Sequence, residues 1–469
     1  MIEPNFDPGS FRDPGCRVFR HEGKVLRALD QATLENWEQL SHSSFYQRLS
    51  AEKKIVSTRR LSAAEEKPWL RQPHTKAVLE HEVLPFISYP YEWCFSMLRD
   101  AALFQLELVL ESLNEDIALK DCTPFNVQWR GTDPVFIDIP SFMKLEPGEP
   151  WIGYRQFCQM FLYPLMLQAY KGVPFQSWLR GSLNGIDPEH LWNVTSLRDA
   201  LRPGVLTRVF MMAKAQALYG STSRNIKNEL QESGFHKKLI ENNVRGLQKI
   251  IGGLSWKRTK SEWSDYECDN SYSPEDRQKK EAFVREAAGT RSWNLAWCLG
   301  CNAGFYSRLI TDNARFTVAM DADPLVIDRL YRDLKKEKRE RLLPLVVDVT
   351  DLPGGLGWQG IERRSLMERG KPDLLQCLAL IHHLVLGSNV PLSEVVEWFS
   401  TLTRHLIIEF VSKEDPMAQK LLRNKKDVYV DYEIGVFEGL LNRNFRVQKK
   451  LTLSCGTRTL YFAESLKKP

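Results

Sequence analysis

The stretch WNLAWCLGCNAGFYSRLI, residues 293–310, limits the folds open to this chain more than any other. NLAWCL is a short apolar run of strand length, GCNAG is a turn of small residues, and FYSRLI resumes with helical spacing. A strand that stops in a glycine-rich turn and restarts as a helix gathers unpaired backbone N–H groups and the positive end of a helix at one point. That arrangement receives nucleotide-like cofactors. Glycine is needed where the backbone bends sharply or must lie against a ligand, because a Cβ would clash. Small-residue turns follow many strands, so the weight comes from what succeeds this one.

What succeeds it is alternation. FTVAMDA (316–322) reads as a strand with an acid near its end, and PLVIDRLYRDLKKEKRERL as a helix with a solvated charged face. LLPLVVDVTDL is a further strand reaching Asp348, and PDLLQCLALIHHL another that runs into His382 and His383. SEVVEWFSTLT is helical, RHLIIEFVSKED a strand, 437–442 part of a helix, and FRVQKKLTLSCGTRTLYFAES a closing hairpin turning at 454–457. Strands alternating with helices imply a mostly parallel, doubly wound sheet covered on both faces. The hairpin places one antiparallel strand in it. The expected fold class is therefore α/β, Rossmann-like and seven-stranded. Upstream, Ser273 followed by Pro274, Glu275 and Asp276 combines a cap, a first-turn proline and acids at the positive helix end, so a helix is expected through Ala288.

The first half reads differently. Residues 11–30 suggest two short strands around a turn at Glu22 and Gly23, and helical patterns cover 31–49, 99–116, 154–170 and 201–218. NVQW and PVFIDI pair as strands around a turn at 130–133. From 219 to 273 the chain turns polar and charged. This connector ends in Trp263, Tyr266 and Tyr272, aromatic residues that could fold over a neighbouring cleft or simply anchor a packed loop. The expected division is an α+β domain over 1–218, a connector with lid character over 219–273 and the α/β domain over 274–469.

At 469 residues there is room for two or three domains, and 43% hydrophobic with 26% charged content is that of a globular chain. A net charge of +5 is too small at this length to indicate nucleic acid. The nine cysteines form neither a disulfide framework nor a doubled CxxC zinc pattern, so no metal is expected and a reducing cytoplasm is. MIEPNFDPGSFRDPG lacks the apolar core of a signal peptide, and no run approaches the roughly 18 apolar residues of a membrane span.

From about Pro274 to its end the chain resembles class I S-adenosylmethionine-dependent methyltransferases. Over its whole length it is also similar to a bacterial family related to the host-specific nodulation methyltransferases, through YPYEW, LKDCTPFNVQW, CLGCNAGFYS, DADP and LIHHL. The resemblance implies S-adenosyl-L-methionine as cofactor. Gly300, Asn302 and Gly304 would lie against its amino acid tail and ribose, Asp321 would take both ribose hydroxyls, and Asp348 would take the adenine amine with Val349 beside the ring. One position departs from the family. Cys298 stands where an acid normally helps hold the amino acid tail. His382 and His383 are the candidates for a catalytic base and Glu409 a weaker one, with a wall-lining role equally open to the histidines. No NPPY-like motif points to an amide or base nitrogen, and a small-molecule acceptor is favoured.

ALKDCTPFNVQWRGTDPVFIDIPSF (118–142) resembles the catalytic loop of protein kinases and small-molecule phosphotransferases. Asp121 stands five residues before Asn126, and Asp138 follows twelve later. The resemblance implies that Asp121 would orient an acceptor hydroxyl, while Asn126 and Asp138 would hold magnesium on phosphates. The departures are Leu119 and Lys120 before Asp121, Ile139 and Pro140 after Asp138, and the lack of a glycine-rich loop in the first ninety residues. The expectation is a degenerate kinase-like domain in which Asp121 and Asp138 cap turns.

Overall fold

The computed structural model describes residues 4–72, 74–146, 148–219, 237–261, 263, 272–426 and 428–467. They form two compact units. The first takes in Met1–Trp129, Pro134–Lys257 and Gly355–Arg364, and the second Arg130–Asp133, Arg258–Gly354 and Ser365–Pro469.

The first unit begins with a five-stranded antiparallel sheet, ordered β1–β2–β3–β5–β4. Its strands are β1 (Asn5–Phe6), β2 (Cys16–His21), β3 (Lys24–Leu29), β4 (Thr58–Arg60) and β5 (Ala77–His81). The expected turn joins β2 to β3, with Glu22 and Gly23 both at positive φ, the geometry a two-residue hairpin loop requires. Phe19, Leu26, Ala28, Leu61, Trp69 and Val78 pack as one cluster on the sheet. The helical pattern of 31–49 is broken into Gln31–His42 and Ser44–Ala51. Ser43 lies extended between them, and its hydroxyl accepts the Tyr46 N–H at 3.1 Å, so a cap competes successfully with helix continuation.

After the long buried helix Phe95–Leu113 come β6 (Ile117–Leu119), β7 (Val127–Arg130), β8 (Asp133–Phe136) and β9 (Phe142–Lys144), pairing as β6–β9 and β7–β8. Wide π turns at Cys158–Leu162 and Val205–Phe210 interrupt the next helices. Lys237–Gly253, read as part of the connector, is a helix of this unit. Gly355–Arg364 joins the unit through Arg12, whose guanidinium meets the buried Glu362 carboxylate with Nε–Oε1 at 2.8 Å and Nη2–Oε2 at 2.9 Å.

The second unit is built on a seven-stranded sheet ordered β12–β11–β10–β13–β14–β16–β15. Its strands are β10 (Trp293–Leu299), β11 (Ala314–Asp321), β12 (Leu342–Val346), β13 (Leu374–Cys377), β14 (His405–Val411), β15 (Phe445–Thr452) and β16 (Arg458–Ser465). β10 to β14 are mutually parallel, and β16 runs antiparallel to both neighbours, as the closing hairpin requires. β14 is buried along its whole length, whereas edge strand β15 alternates, so the apolar load falls as position in the sheet dictates. Helix Pro274–Ala288 starts at Ser273, whose hydroxyl accepts the Asp276 N–H at 3.0 Å. Two strands are shorter than their apolar runs. β12 ends at Val346, leaving Asp348 beyond it, and β13 ends at Cys377 because Ala379 turns the chain at φ 48°. Among the described residues no helix is long and apolar enough to cross a membrane.

Candidate functional site

The strand order reverses direction between β10 and β13, and the loops after these two strands flank the crevice in which α/β sheets bind ligands. The loop after β10 carries three residues with positive φ, Gly300 (64°), Asn302 (47°) and Gly304 (76°). A Cβ on Gly300 would lie 3.1 Å from the Leu380 side chain, and one on Gly304 only 2.7 Å from Leu330. The positive φ at both positions favours glycine, and the leucine side chains crowd the space that a Cβ would take.

Asp321 closes β11 beside this loop and is half-buried. The Asn302 backbone N–H donates to its Oδ2 at 2.9 Å and the Asp323 N–H to its Oδ1 at 3.0 Å. Burial outweighs these bonds and pushes the carboxyl up to about 6. Asp321 thus ties the first loop to the second strand end through backbone N–H groups, and among the described residues no side-chain cation is hydrogen-bonded to it. Asp348 is exposed and folded onto itself, its Oδ1 accepting the Thr350 N–H at 2.8 Å and the Thr350 hydroxyl at 2.7 Å; Val349 beside it is half-buried. Cys298 is fully buried, and burial pushes its thiol up to about 12, so it stays neutral and offers no countercharge to an ammonium group.

The loop after β13 leads into His382 and His383, which opens a π turn, His383–Gly387. His382 is wholly buried, and neither ring nitrogen has a hydrogen-bond partner among the described residues. His383 is half-buried, 4.1 Å from the His382 ring and 4.8 Å from the Trp263 ring, centroid to centroid. Burial holds His382 well below its ordinary value and lowers His383 to about 4, with Arg458 adding to both effects. Both imidazoles are neutral at physiological pH. Trp263 is fastened from its other side as well, its carbonyl accepting the Asn302 side-chain amide at 3.0 Å. Tyr266 lies outside the described residues.

Sequence reasoning missed a buried ionic network at this end of the unit. Tyr272 donates to Glu409 Oε1 at 2.7 Å, Lys280 donates to Glu409 Oε2 and to the Tyr272 hydroxyl at 2.7 Å each, and Arg458 donates to the same hydroxyl. Arg458 is also anchored on Asp415, with Nε–Oδ2 at 2.7 Å and Nη2–Oδ1 at 3.0 Å. Burial disfavours the Glu409 charge, but Lys280 and Arg458 outweigh it and hold the carboxyl below its ordinary value. Both Glu409 oxygens are engaged in this network. The signal in the sequence was a charged residue inside an otherwise continuous apolar strand, HLIIEFV, which demands buried partners.

In the first unit Asp121, Asn126 and Asp138 lie near one another. Asn126 donates to Asp138 Oδ2 at 3.2 Å, and burial together with the charge on Asp138 raises Asp121 above its ordinary value. Asp138 is also the N-cap position of the short turn Ile139–Ser141. Its carboxylate takes the Arg27 guanidinium from β3 at 2.8 Å and the Ser141 hydroxyl in addition to Asn126. A side-chain cation already neutralises the acid to which the resemblance assigned magnesium.

The fold defines an α/β unit of the Rossmann-like class, with a change of strand order between β10 and β13, carried with an α+β unit on one chain. No family model matches the chain. Over 459 residues it is 33% identical to nodulation protein NoeA of Rhizobium meliloti (strain 1021), an alignment covering 97% of this chain and 95% of that protein. The chain belongs to the NoeA family of nodulation proteins. Among solved structures it is similar to the N-methyltransferase NodS from Bradyrhizobium japonicum WM9 in complex with S-adenosyl-L-homocysteine, at 9% identity and TM-score 0.32 over 44% of this chain and 94% of that one. It is also similar to magnesium protoporphyrin IX methyltransferase from Synechocystis PCC 6803 with bound S-adenosyl-L-homocysteine, at 15% identity and TM-score 0.30 over 40% and 83%.

Proposed function

We propose that the second unit binds S-adenosyl-L-methionine and methylates a small-molecule acceptor, and that the first unit recognises that acceptor or a partner. The observation that carries this reading is Asp321. It is a half-buried carboxylate at the end of the strand next to the switch point, bonded to backbone N–H groups, with acceptor capacity left for the two hydroxyls of a ribose. The donor set fits the cofactor in two further respects. Gly300, Asn302 and Gly304 give a bent backbone beside that acid, and the neighbouring histidines are neutral, so they do not repel a sulfonium. Asp348, with Val349, stands one strand further on for the adenine amine, once its carboxylate releases or shares Thr350.

The chemistry supplied by bound S-adenosyl-L-methionine is an electrophilic methyl group. The chain's part is to hold the acceptor in line and keep water out. Of the two histidines, His383 is the one with exposed surface and the candidate to accept an acceptor's proton, while His382 supports it from behind. A wholly buried imidazole cannot reach an acceptor in this conformation. Phosphoryl transfer by the first unit is the weaker reading, since Arg27 already occupies the Asp138 carboxylate. Titration calorimetry of the full chain with S-adenosyl-L-methionine tests the binding step. Transfer of tritiated methyl into the small-molecule fraction of a lysate, lost in Asp321→Ala, tests the activity. Binding without transfer to any fraction would reduce the protein to a cofactor-binding module.

A further inference from the structure

A cavity of about 510 Å³ opens in the first unit between the end of helix Tyr163–Lys171, the turn at Arg202 and Pro203, and the end of helix Lys237–Gly253. Its volume falls within the range of small-molecule sites. Of its nine lining residues three are cations, Arg202, Lys249 and Lys257, and none is an acid. Lys249 and Lys257 make no ion pair among the described residues. Arg202 is fixed, its Nε 3.1 Å from Asp199 and its guanidinium 4.9 Å from the centre of the Tyr170 ring. Tyr170 is fixed in turn by donating its hydroxyl to the Pro203 carbonyl at 3.0 Å. Asp199 is consumed in this scaffold, since it also takes Lys171 at 2.8 Å and the Ser196 N–H at 2.9 Å. The lining thus combines a pre-set guanidinium on an aromatic ring with two ammonium groups that make no ion pair among the described residues, and Ile250 adds apolar surface.

Three like charges around one cavity repel one another, and an anion seated among them converts that repulsion into attraction. We infer that this cavity is a binding site for a phosphorylated small molecule, its phosphate between Arg202, Lys249 and Lys257 and its remaining body against Tyr170 and Ile250. A phosphate monoester or diphosphate carries the two to three negative charges that match the cations, and Arg202 supplies the forked donor that suits phosphate oxygens. A phosphorylated lipid headgroup offers the same chemistry from a membrane. The inference uses the first unit alone and no property of the cofactor crevice, so the two fail separately.

The test is calorimetric titration of the full chain with pyrophosphate, beside co-sedimentation with phosphatidylglycerol vesicles. Pyrophosphate should bind, weaken as salt is raised, and lose at least about tenfold in affinity in the exposed double variant Lys249→Glu, Lys257→Glu. The far-ultraviolet circular dichroism and the denaturation midpoint of that variant should stay at the wild-type values, which certifies its fold. Vesicle binding that pyrophosphate displaces and the double variant lacks identifies the source as a headgroup, and pyrophosphate binding without vesicle binding identifies a soluble ligand. Equal affinity of wild type and double variant for pyrophosphate, or no binding to either probe, overturns the inference.

Discussion

Asp138 and Asp321 are both acids at or just past a strand end in a polar cluster, one in each unit, and their surroundings are opposite. Asp138 is saturated by side chains: Arg27 brings a full positive charge, and Asn126 and Ser141 fill the remaining acceptor sites. Asp321 is bonded to two backbone N–H groups and is left with a carboxyl that burial pushes up to about 6. An acid neutralised from within contributes to the fold and has little to offer a ligand. An acid kept short of positive charge weakens the fold and gains when a ligand donates to it. This contrast, more than any motif, is why we propose a structural part for the first cluster and binding for the second.

The comparison breaks most readily at Arg27. Replacing it with alanine leaves Asp138 largely buried without its cation, and the first unit should lose about 3 kcal/mol, read as a lowered denaturation midpoint with an unchanged slope. Asp138→Asn in the same background should recover much of that loss, because it removes the uncompensated charge. If Arg27→Ala instead gained magnesium-dependent ATP binding at little cost in stability, Asp138 would be a ligand-binding acid held shut, and the contrast would fail. The next effect belongs to Asp321. Asp321→Ala should weaken S-adenosyl-L-methionine binding by about 2 kcal/mol, roughly thirtyfold, for loss of charge-assisted hydrogen bonds, with little change in the stability of the first unit.

What the sequence made legible follows from periodicity. Alternating apolar runs and amphipathic helices after Trp293 specify the parallel sheet and its closing hairpin, and the small-residue turn marks the crevice. The position of Asp321 beside that turn was equally legible, because parallel strands fix where their ends fall. Partners far apart in the chain were not. Arg27 and Asp138 are 111 residues apart and Lys280 and Glu409 are 129 apart, so no local pattern links them. A wall-lining place for His382 was one of two open readings, and periodicity could not choose between them. The apolar run LALIHHL continues past the end of β13 into a wide π turn, where neither strand nor helix spacing applies. The departures of 118–142 from the kinase pattern were visible, but the cation that fills the site lies on another strand.

Acidity sharpens the contrast further. Ribose hydroxyls donate to the ionised form of Asp321, so the cofactor should bind about tenfold more tightly at pH 7 than at pH 5 and level off above. His383, lowered to about 4, does not titrate in that window, and Asp321→Asn should flatten the profile. Without ligand the sign reverses. The raised value means that the folded protein holds the Asp321 proton more tightly than the unfolded chain, so this group's contribution to stability falls as pH rises from about 4 to about 6.

The smallest effect is the most discriminating. At pH 7 Asp321→Asn removes a poorly compensated charge but leaves the asparagine oxygen to serve two N–H groups on two different residues, Asn302 and Asp323. The relief should slightly exceed the loss, giving an unliganded protein more stable by up to about 1 kcal/mol that nonetheless binds the cofactor poorly. At pH 4 the wild-type carboxyl is already protonated, so the advantage should vanish. Asp138→Asn in an otherwise native chain should lower stability at pH 7 instead, because Arg27 then loses the charge it is buried against. Equal signs for the two substitutions would mean that both acids serve the fold, and Asp321 would lose its claim to the ribose.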